Sequence, residues 1–319
     1  MARQDDVILI VRHPWLARDH FDLVLDWVRD QAPALSPLFL VRDLPVTLEP
    51  EWNVRLLVTW LQDPVEFRTP DTFVFAEKLS DYFTARGVPT INRAAILSNG
   101  IKSRAAPLIA SAGLRVPRIA RIDDAPSFRA DFGGLALPFF VREDHIHGSP
   151  MLLAKTRDEA RALPIESFTL PIAVEYIETA SPADGLYRKF RYFACRETGV
   201  SQHLQVTKEW IARGEGRIFT PQTQAEEMEY ISRFDRNHDR FQAALKALGF
   251  DMAAFDYAYD ASGEVVVWEV NPFPRIVFGK STSMYRDRAI HASIAAMVQM
   301  YLDAAGLVVP DAISRHLRL

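Results

Sequence analysis

Phe255-Asp256-Tyr257-Ala258-Tyr259, the turn Asp260-Ala261-Ser262-Gly263, and Glu264-Val265-Val266-Val267-Trp268-Glu269-Val270-Asn271 read as the two arms of an antiparallel hairpin. β-Branched and aromatic residues dominate both arms, and the short polar stretch between them carries turn chemistry. A four-residue turn pairs Asp256 with Val267 across the ladder. Side chains alternate along a strand, so Asp256, Glu269 and Asn271 then share one face, with Trp268 and Val270 on the other. A turn of odd length would break that alignment.

Two carboxylates and an amide oxygen on one face are hard oxygen ligands. Mg²⁺ prefers a few carboxylates plus water and substrate phosphates over a full protein cage, which is what this face offers; Mn²⁺ suits the same set. Asn271-Pro272-Phe273-Pro274 follows directly and ends the second arm.

The remainder of the chain sets the context. Its 319 residues suit two or three modest domains. With 49% hydrophobic and 24% charged residues it has the balance of a soluble globular protein. A net charge of −4 gives no electrostatic footprint for nucleic acid. The single cysteine, Cys195, excludes an intramolecular disulfide and agrees with a reducing compartment; a packed strand position is expected for it. The apolar run Val7–Val11 is too short for a signal-peptide core or a bilayer span, so the expectation is a cytoplasmic protein that does not engage a membrane.

Toward the N-terminus, Val7–Val11, Leu38–Val41 and Thr72–Phe75 read as strands, with helices over His20–Gln31 and around Val54–Leu61, the pattern of a small α/β domain with a parallel sheet. Lys78–Arg86 and Ile101–Ala112 read as helices closed by Gly87 and Gly113. Leu137–Arg142, Met151–Ala154, Ile172–Ile177, Lys189–Arg196 and Gln202–Val206 read as strands, Thr156–Ala162 as a helix. Glu226–Leu248 reads as one long amphipathic helix and Tyr285–Ala305 as the last. The chain thus passes from an α/β unit to α+β units.

Asp256 … Trp268-Glu269-Val270-Asn271-Pro272-Phe273-Pro274 resembles the C-terminal motif of the ATP-grasp superfamily. Gly87-Val88-Pro89-Thr90-Ile91-Asn92 … Lys102 … Gly113-Leu114-Arg115-Val116-Pro117 is similar to the G-x-P-x-x-N … K … G-x-x-x-P segment of its glutathione-synthetase-like and RimK-like ligases. Roughly residues 80 to 300 are covered, with every element in family order. The resemblance implies a Rossmann-like pre-ATP-grasp domain over 1–93, then a two-subdomain ATP-grasp fold: a small subdomain over 94–173 and a C-terminal one over 174–319.

The resemblance also implies roles. Asp256, Glu269 and Asn271 would hold Mg²⁺. Lys102 and Arg142 would contact the α- and β-phosphates of ATP, Arg142 standing where the family pattern P-x-x-x-K has lysine (Pro138 to Arg142). His147, Gly148 and Ser149 fall in the place of the phosphate-covering loop. Glu175, Tyr176 and Ile177 would read the adenine edge, and Asp184 would meet the ribose. Arg191 and Lys189, from a stretch resembling D-x-R-x-x-V, would face the γ-phosphate and the developing acyl phosphate. Arg275 and Lys280 are candidates to hold a substrate carboxylate. Arg12-His13-Pro14, at the end of the first strand, is a candidate contact with the acceptor.

The activity implied is that of an ATP-dependent carboxylate–amine ligase acting on a small carboxylate and an amino acid or peptide amine. Self-association into a homodimer is left open. The same fold serves kinases of small hydroxyl compounds, and a nucleotide-binding protein without ligase activity is a further alternative. A nicotinamide-dependent oxidoreductase is disfavoured, because no Gly-x-Gly-x-x-Gly follows Val7–Val11.

Overall fold

The computed structural model describes residues 5–16, 21–61, 65–145, 150–212, 216–279 and 281–317. Among them, three four-stranded sheets organise the chain.

In the first, β1 (Asp5–Arg12), β2 (Phe39–Asp43), β3 (Trp52–Trp60) and β4 (Thr90–Ile91) run parallel in the order β2-β1-β3-β4. Helices α1 (Asp22–Gln31), α2 (Val65–Arg68) and α3 (Pro70–Thr84) lie in its connections. Ile8 to Val11 are wholly buried, as an interior parallel strand covered on both faces must be.

Two expectations fail in this unit. Val54–Leu61 is not a helix but most of β3, since a strand buried on both faces shows an unbroken apolar run whose spacing imitates a helix. Thr72–Phe75 is not a strand but part of α3, which Pro70 opens at the N-terminus. The β-branched and aromatic residues there follow the longer helical pattern, leaving Val74 and Phe75 exposed.

After α4 (Ala94–Leu97) and α5 (Lys102–Ser111), the second sheet is antiparallel in the order β5-β8-β6-β7. Its strands are β5 (Ile119–Arg121), β6 (Phe139–Glu143), β7 (Leu152–Ala154) and β8 (Pro171–Glu175). One face carries Phe139 and Val141 into a core with α6 (Ala125–Asp131) and α7 (Arg157–Ala162). The other presents Phe140, Ile172 and Val174.

The third sheet, order β10-β9-β11-β12, is antiparallel and joins β9 (Tyr187–Cys195), β10 (Thr198–Thr207), β11 (Met252–Tyr259) and β12 (Val265–Asn271). Tyr192, Leu204, Phe255, Val265 and Val267 pack under α8 (Pro221–Ile231) and α9 (His238–Leu248). The single helix expected over Glu226–Leu248 is therefore two. The break is held by buried Asp235, which accepts from Asn237 N at 2.8 Å and from the Tyr257 hydroxyl at 2.5 Å. These tertiary bonds replace a continuous helical ladder.

Helix α10 (Asp287–Ala304), followed by α11 (Asp311–Ser314), is buried along most of its length. It shares one core with β1 and β3 on one side and with Phe193, Cys195, Met252 and Ala254 of the third sheet on the other. No helix among the described residues is long and apolar enough to cross a membrane.

Candidate active site

The turn of the hairpin is odd in length: Tyr259 pairs with Val265, so residues 260–264 form the loop. By parity alone this would set Asp256 opposite Trp268 and throw Glu269 toward the core. A bulge corrects it. Tyr257 pairs with Val267 but Asp256 pairs with Glu269, leaving Trp268 as the extra residue. The expected pairing of Asp256 with Val267 is thus wrong. The shared face of Asp256, Glu269 and Asn271 arises instead from an odd turn and a compensating bulge. Val265, Val267 and Val270 all enter the core on the opposite face, a spacing that itself records the extra residue.

On β9, Arg191 lies beside Asp256 and binds it bidentately, with Nε to Oδ1 at 2.6 Å and Nη2 to Oδ2 at 2.9 Å. Lys189 Nζ stands 3.5 Å from Asp256 Oδ2. Burial disfavours the charge on Asp256, but Arg191 and Lys189 outweigh it and hold the carboxyl well below the usual carboxylate range. From the N-terminus of α5, the buried Lys102 reaches in, its Nζ 3.6 Å from Glu269 Oε1.

This charged floor lies under a cavity of about 560 Å³. An apolar slot made by Ile119, Phe140 and Val174 of the second sheet with Tyr176 and Ile177 lines the same cavity. Trp210, from the segment after β10, closes it, with ring centroids 5.1 Å from Phe140 and 5.5 Å from Tyr176. The Tyr176 hydroxyl is fixed by Tyr187 at 3.2 Å and Glu178 at 3.1 Å, and burial raises its pKa. Arg142 of β6 and Arg275, after Asn271-Pro272-Phe273-Pro274, also line the cavity.

The structure thus gathers Lys102, Arg142, Tyr176, Ile177, Lys189, Arg191, Asp256, Glu269, Asn271 and Arg275 around one space. Glu175 and Asp184 are not among the lining residues. The Glu175 carboxylate turns back to accept from Arg118 N at 2.9 Å. The exposed Asp184 pairs with Arg188 at 2.7 Å, which lowers its carboxyl to about 2, so the side chain proposed for the ribose is engaged elsewhere. Arg12 is held by Asp43 at 2.8 Å and Asp22 at 3.0 Å, in keeping with a structural role at the end of β1. His147, Gly148, Ser149 and Lys280 lie outside the described residues.

Sequence reading missed Trp210, Arg188 and Gln205, which also line the cavity. A tryptophan in a polar connection directly after a strand was the available signal for the first.

Among the described residues, no group of three or more His, Cys, Asp or Glu side chains is placed to hold a metal ion. Asp256, Glu269 and Asn271 fit a hard cation that takes its remaining ligands from phosphate oxygens and water. Asn271 is aimed by its own turn, since its Oδ1 accepts from Phe273 N at 3.0 Å. Asn92, at φ 46°, locks the same turn. Its amide donates to Pro272 O at 3.0 Å and Met252 O at 2.9 Å, while its oxygen accepts from Asp251 N at 2.8 Å.

No protein-family model and no curated protein matches the sequence. Solved structures do match the fold. An ATP-grasp ligase, PsnB, complexed with a minimal precursor is 16% identical with a TM-score of 0.55, covering 91% of this chain and 100% of that one. D-alanyl-alanine synthetase A from Vibrio cholerae is 11% identical with a TM-score of 0.58, covering 96% and 100%. VanG D-Ala:D-Ser ligase from Enterococcus faecalis is 15% identical with a TM-score of 0.54, covering 94% and 100%. Hairpin, cavity and these likenesses agree: the chain has the ATP-grasp fold.

Proposed function

We propose that the chain is an ATP-dependent carboxylate–amine ligase. The observation that carries this reading is the row Lys102–Glu269–Asp256–Arg191 beneath an apolar slot, with cations and carboxylates interleaved where a nucleotide's phosphates would meet a divalent ion. The similar solved structures named as ligases support it. A substrate carboxylate would take the γ-phosphoryl group of ATP to give an acyl phosphate, and an amine would then displace phosphate to form an amide. Bound at Asp256, Glu269 and Asn271, Mg²⁺ would neutralise phosphate charge and act as a Lewis acid on the transferring group.

The chain's own residues supply the rest. Arg191, braced by Asp256, presents a fixed guanidinium where negative charge is transferred, and Lys189 adds a second cation. Lys102 and Arg142 face the phosphates, and Arg275 is the candidate partner for the substrate carboxylate. Tyr176, Phe140 and Trp210 exclude water from the purine end, and the backbone of 175–177 reads its edge. The same reading assigns residues 1–93 as a Rossmann-like domain preceding subdomains 94–173 and 174–319. The single cysteine supports a cytoplasmic setting.

Phosphate release by the purified protein, measured with Mg-ATP against a matrix of amino acids and small carboxylic acids, tests the proposal. A ligase releases phosphate only when both a carboxylate and an amine are present. Release with a carboxylate-free hydroxyl compound, or with no pair in the matrix, would refute it.

A further inference from the structure

Helix α5 begins with a poorly capped end. Ile101, at its N-cap, makes no side-chain hydrogen bond, although the first N–H groups of a helix need outside acceptors and favour negative charge. The acceptor comes from the second sheet. Asp144, the residue after β6, accepts from Ser103 N at 2.9 Å and Ser103 Oγ at 2.5 Å. Its main-chain carbonyl accepts from Lys102 Nζ at 3.0 Å.

Asp144 is buried and firmly seated. Its N–H donates to Leu170 O at 3.0 Å, and the neighbouring Glu143 carboxylate accepts from Thr169 N at 2.5 Å and Leu170 N at 2.9 Å. Meanwhile α5 packs mainly against α9, with further contacts to β12 of the third sheet and β5 of the second. At the helix start that carries Lys102, Asp144 supplies the hydrogen bonds to the second sheet. The lysine's long, flexible stem would otherwise let its ammonium settle on Glu269. Held by the Asp144 carbonyl, Nζ stays 3.6 Å from Glu269 Oε1, beyond hydrogen-bond length.

We propose that Asp144 and Ser103 are positioning residues for Lys102: they set its ammonium toward the nucleotide's phosphates and couple that setting to the seating of the second sheet. The inference rests on the nucleotide-binding part of the reading above. A pair that only stabilised the fold would affect every ligand of the cavity alike, whereas positioning Lys102 matters only to ligands that carry phosphates.

Calorimetric titration of the full chain with Mg-AMPPNP and with adenosine separates the two. Ser103→Ala is expected to weaken Mg-AMPPNP about three- to tenfold and adenosine by less than about twofold. Ser103→Thr, which keeps the hydroxyl, restores the affinity. Asp144→Asn, which keeps the carbonyl and one side-chain acceptor, also weakens Mg-AMPPNP selectively and serves as the test if Ser103→Ala does not fold. Equal weakening of both ligands, or unchanged Mg-AMPPNP binding in the variants, overturns the positioning role alone. A parent protein that binds neither ligand overturns the nucleotide reading and this inference together.

Discussion

Asp256 and Glu269 stand directly opposite each other across β11 and β12, with Trp268 bulged out of the ladder between Val267 and Glu269. Their carboxylates serve different partners: Asp256 is braced by Arg191, and Glu269 faces Lys102. Glu269→Gln keeps the shape of the side chain and removes its charge. It is expected to abolish ATP turnover, read as phosphate release, without shifting the thermal midpoint by more than about 4 °C. Turnover near the parent's would sink the metal assignment.

The Arg191–Asp256 pair is largely buried, so removing one partner leaves a charge without compensation. Asp256→Asn is expected to destabilise the fold by about 3–5 kcal/mol, measured by urea unfolding at neutral pH. The folded-state pKa of Asp256 lies below its unfolded value of about 3.9. Its stabilisation is therefore complete above that unfolded value and drains away as pH falls toward the folded one. The gap between parent and variant should shrink in acid. A gap that widens as pH falls would contradict the pairing.

Asn92 joins the end of the first unit to the Pro272 turn with five hydrogen-bonding contacts, made with Asp251, Met252 and Pro272. Asn92→Ala strands buried donors and acceptors and forces alanine into left-handed backbone, so a loss of about 2–4 kcal/mol is expected. Asn92→Gly relieves the backbone term only. Equal stability of the two variants in denaturant titrations would show that backbone strain contributes nothing.

Trp210 closes the apolar slot against Phe140 and Tyr176. Trp210→Ala is expected to weaken adenosine binding by roughly 5- to 150-fold, in line with about 1–3 kcal/mol for base–aromatic stacking. Unaltered adenosine affinity would remove the purine from this end of the cavity.

The two arms of the hairpin, the order of the motifs and the residues of the charged floor were legible in the sequence because each depends on local composition or on a spaced motif. The pairing of Asp256 with Glu269 was not, since it rests on the bulge at Trp268. What escaped depended on tertiary context. The strand β3 resembled a helix because burial on both faces erases alternation. Val74 and Phe75 suggested a strand inside a helix whose outer face simply exposes them. The break after Ile231 is set by Asp235 bonding to Tyr257, a residue of another element. The ion pair of Asp184 with Arg188, four residues on, belongs to no motif. Trp210 belongs to no motif and becomes meaningful only once the second sheet comes to face it.

Trp268 is the one residue of the second arm that the ladder does not use. Between the pairs Tyr259–Val265 and Asp256–Glu269 the second arm carries one residue more than the first, and Glu269 shares the face of Asp256 because Trp268 is left unpaired. Lengthening or shortening the tip by one residue leaves Glu269 on its face as long as Tyr259 still pairs with Val265, because the tip lies outside the ladder. Removing Trp268 alone while keeping the turn would leave Asp256 and Glu269 paired and change only the local twist. The tip and the arm are thus not interchangeable insertion points: a residue added at the tip is taken up by the loop, whereas one added and paired between Val265 and Glu269 would carry the glutamate to the other face.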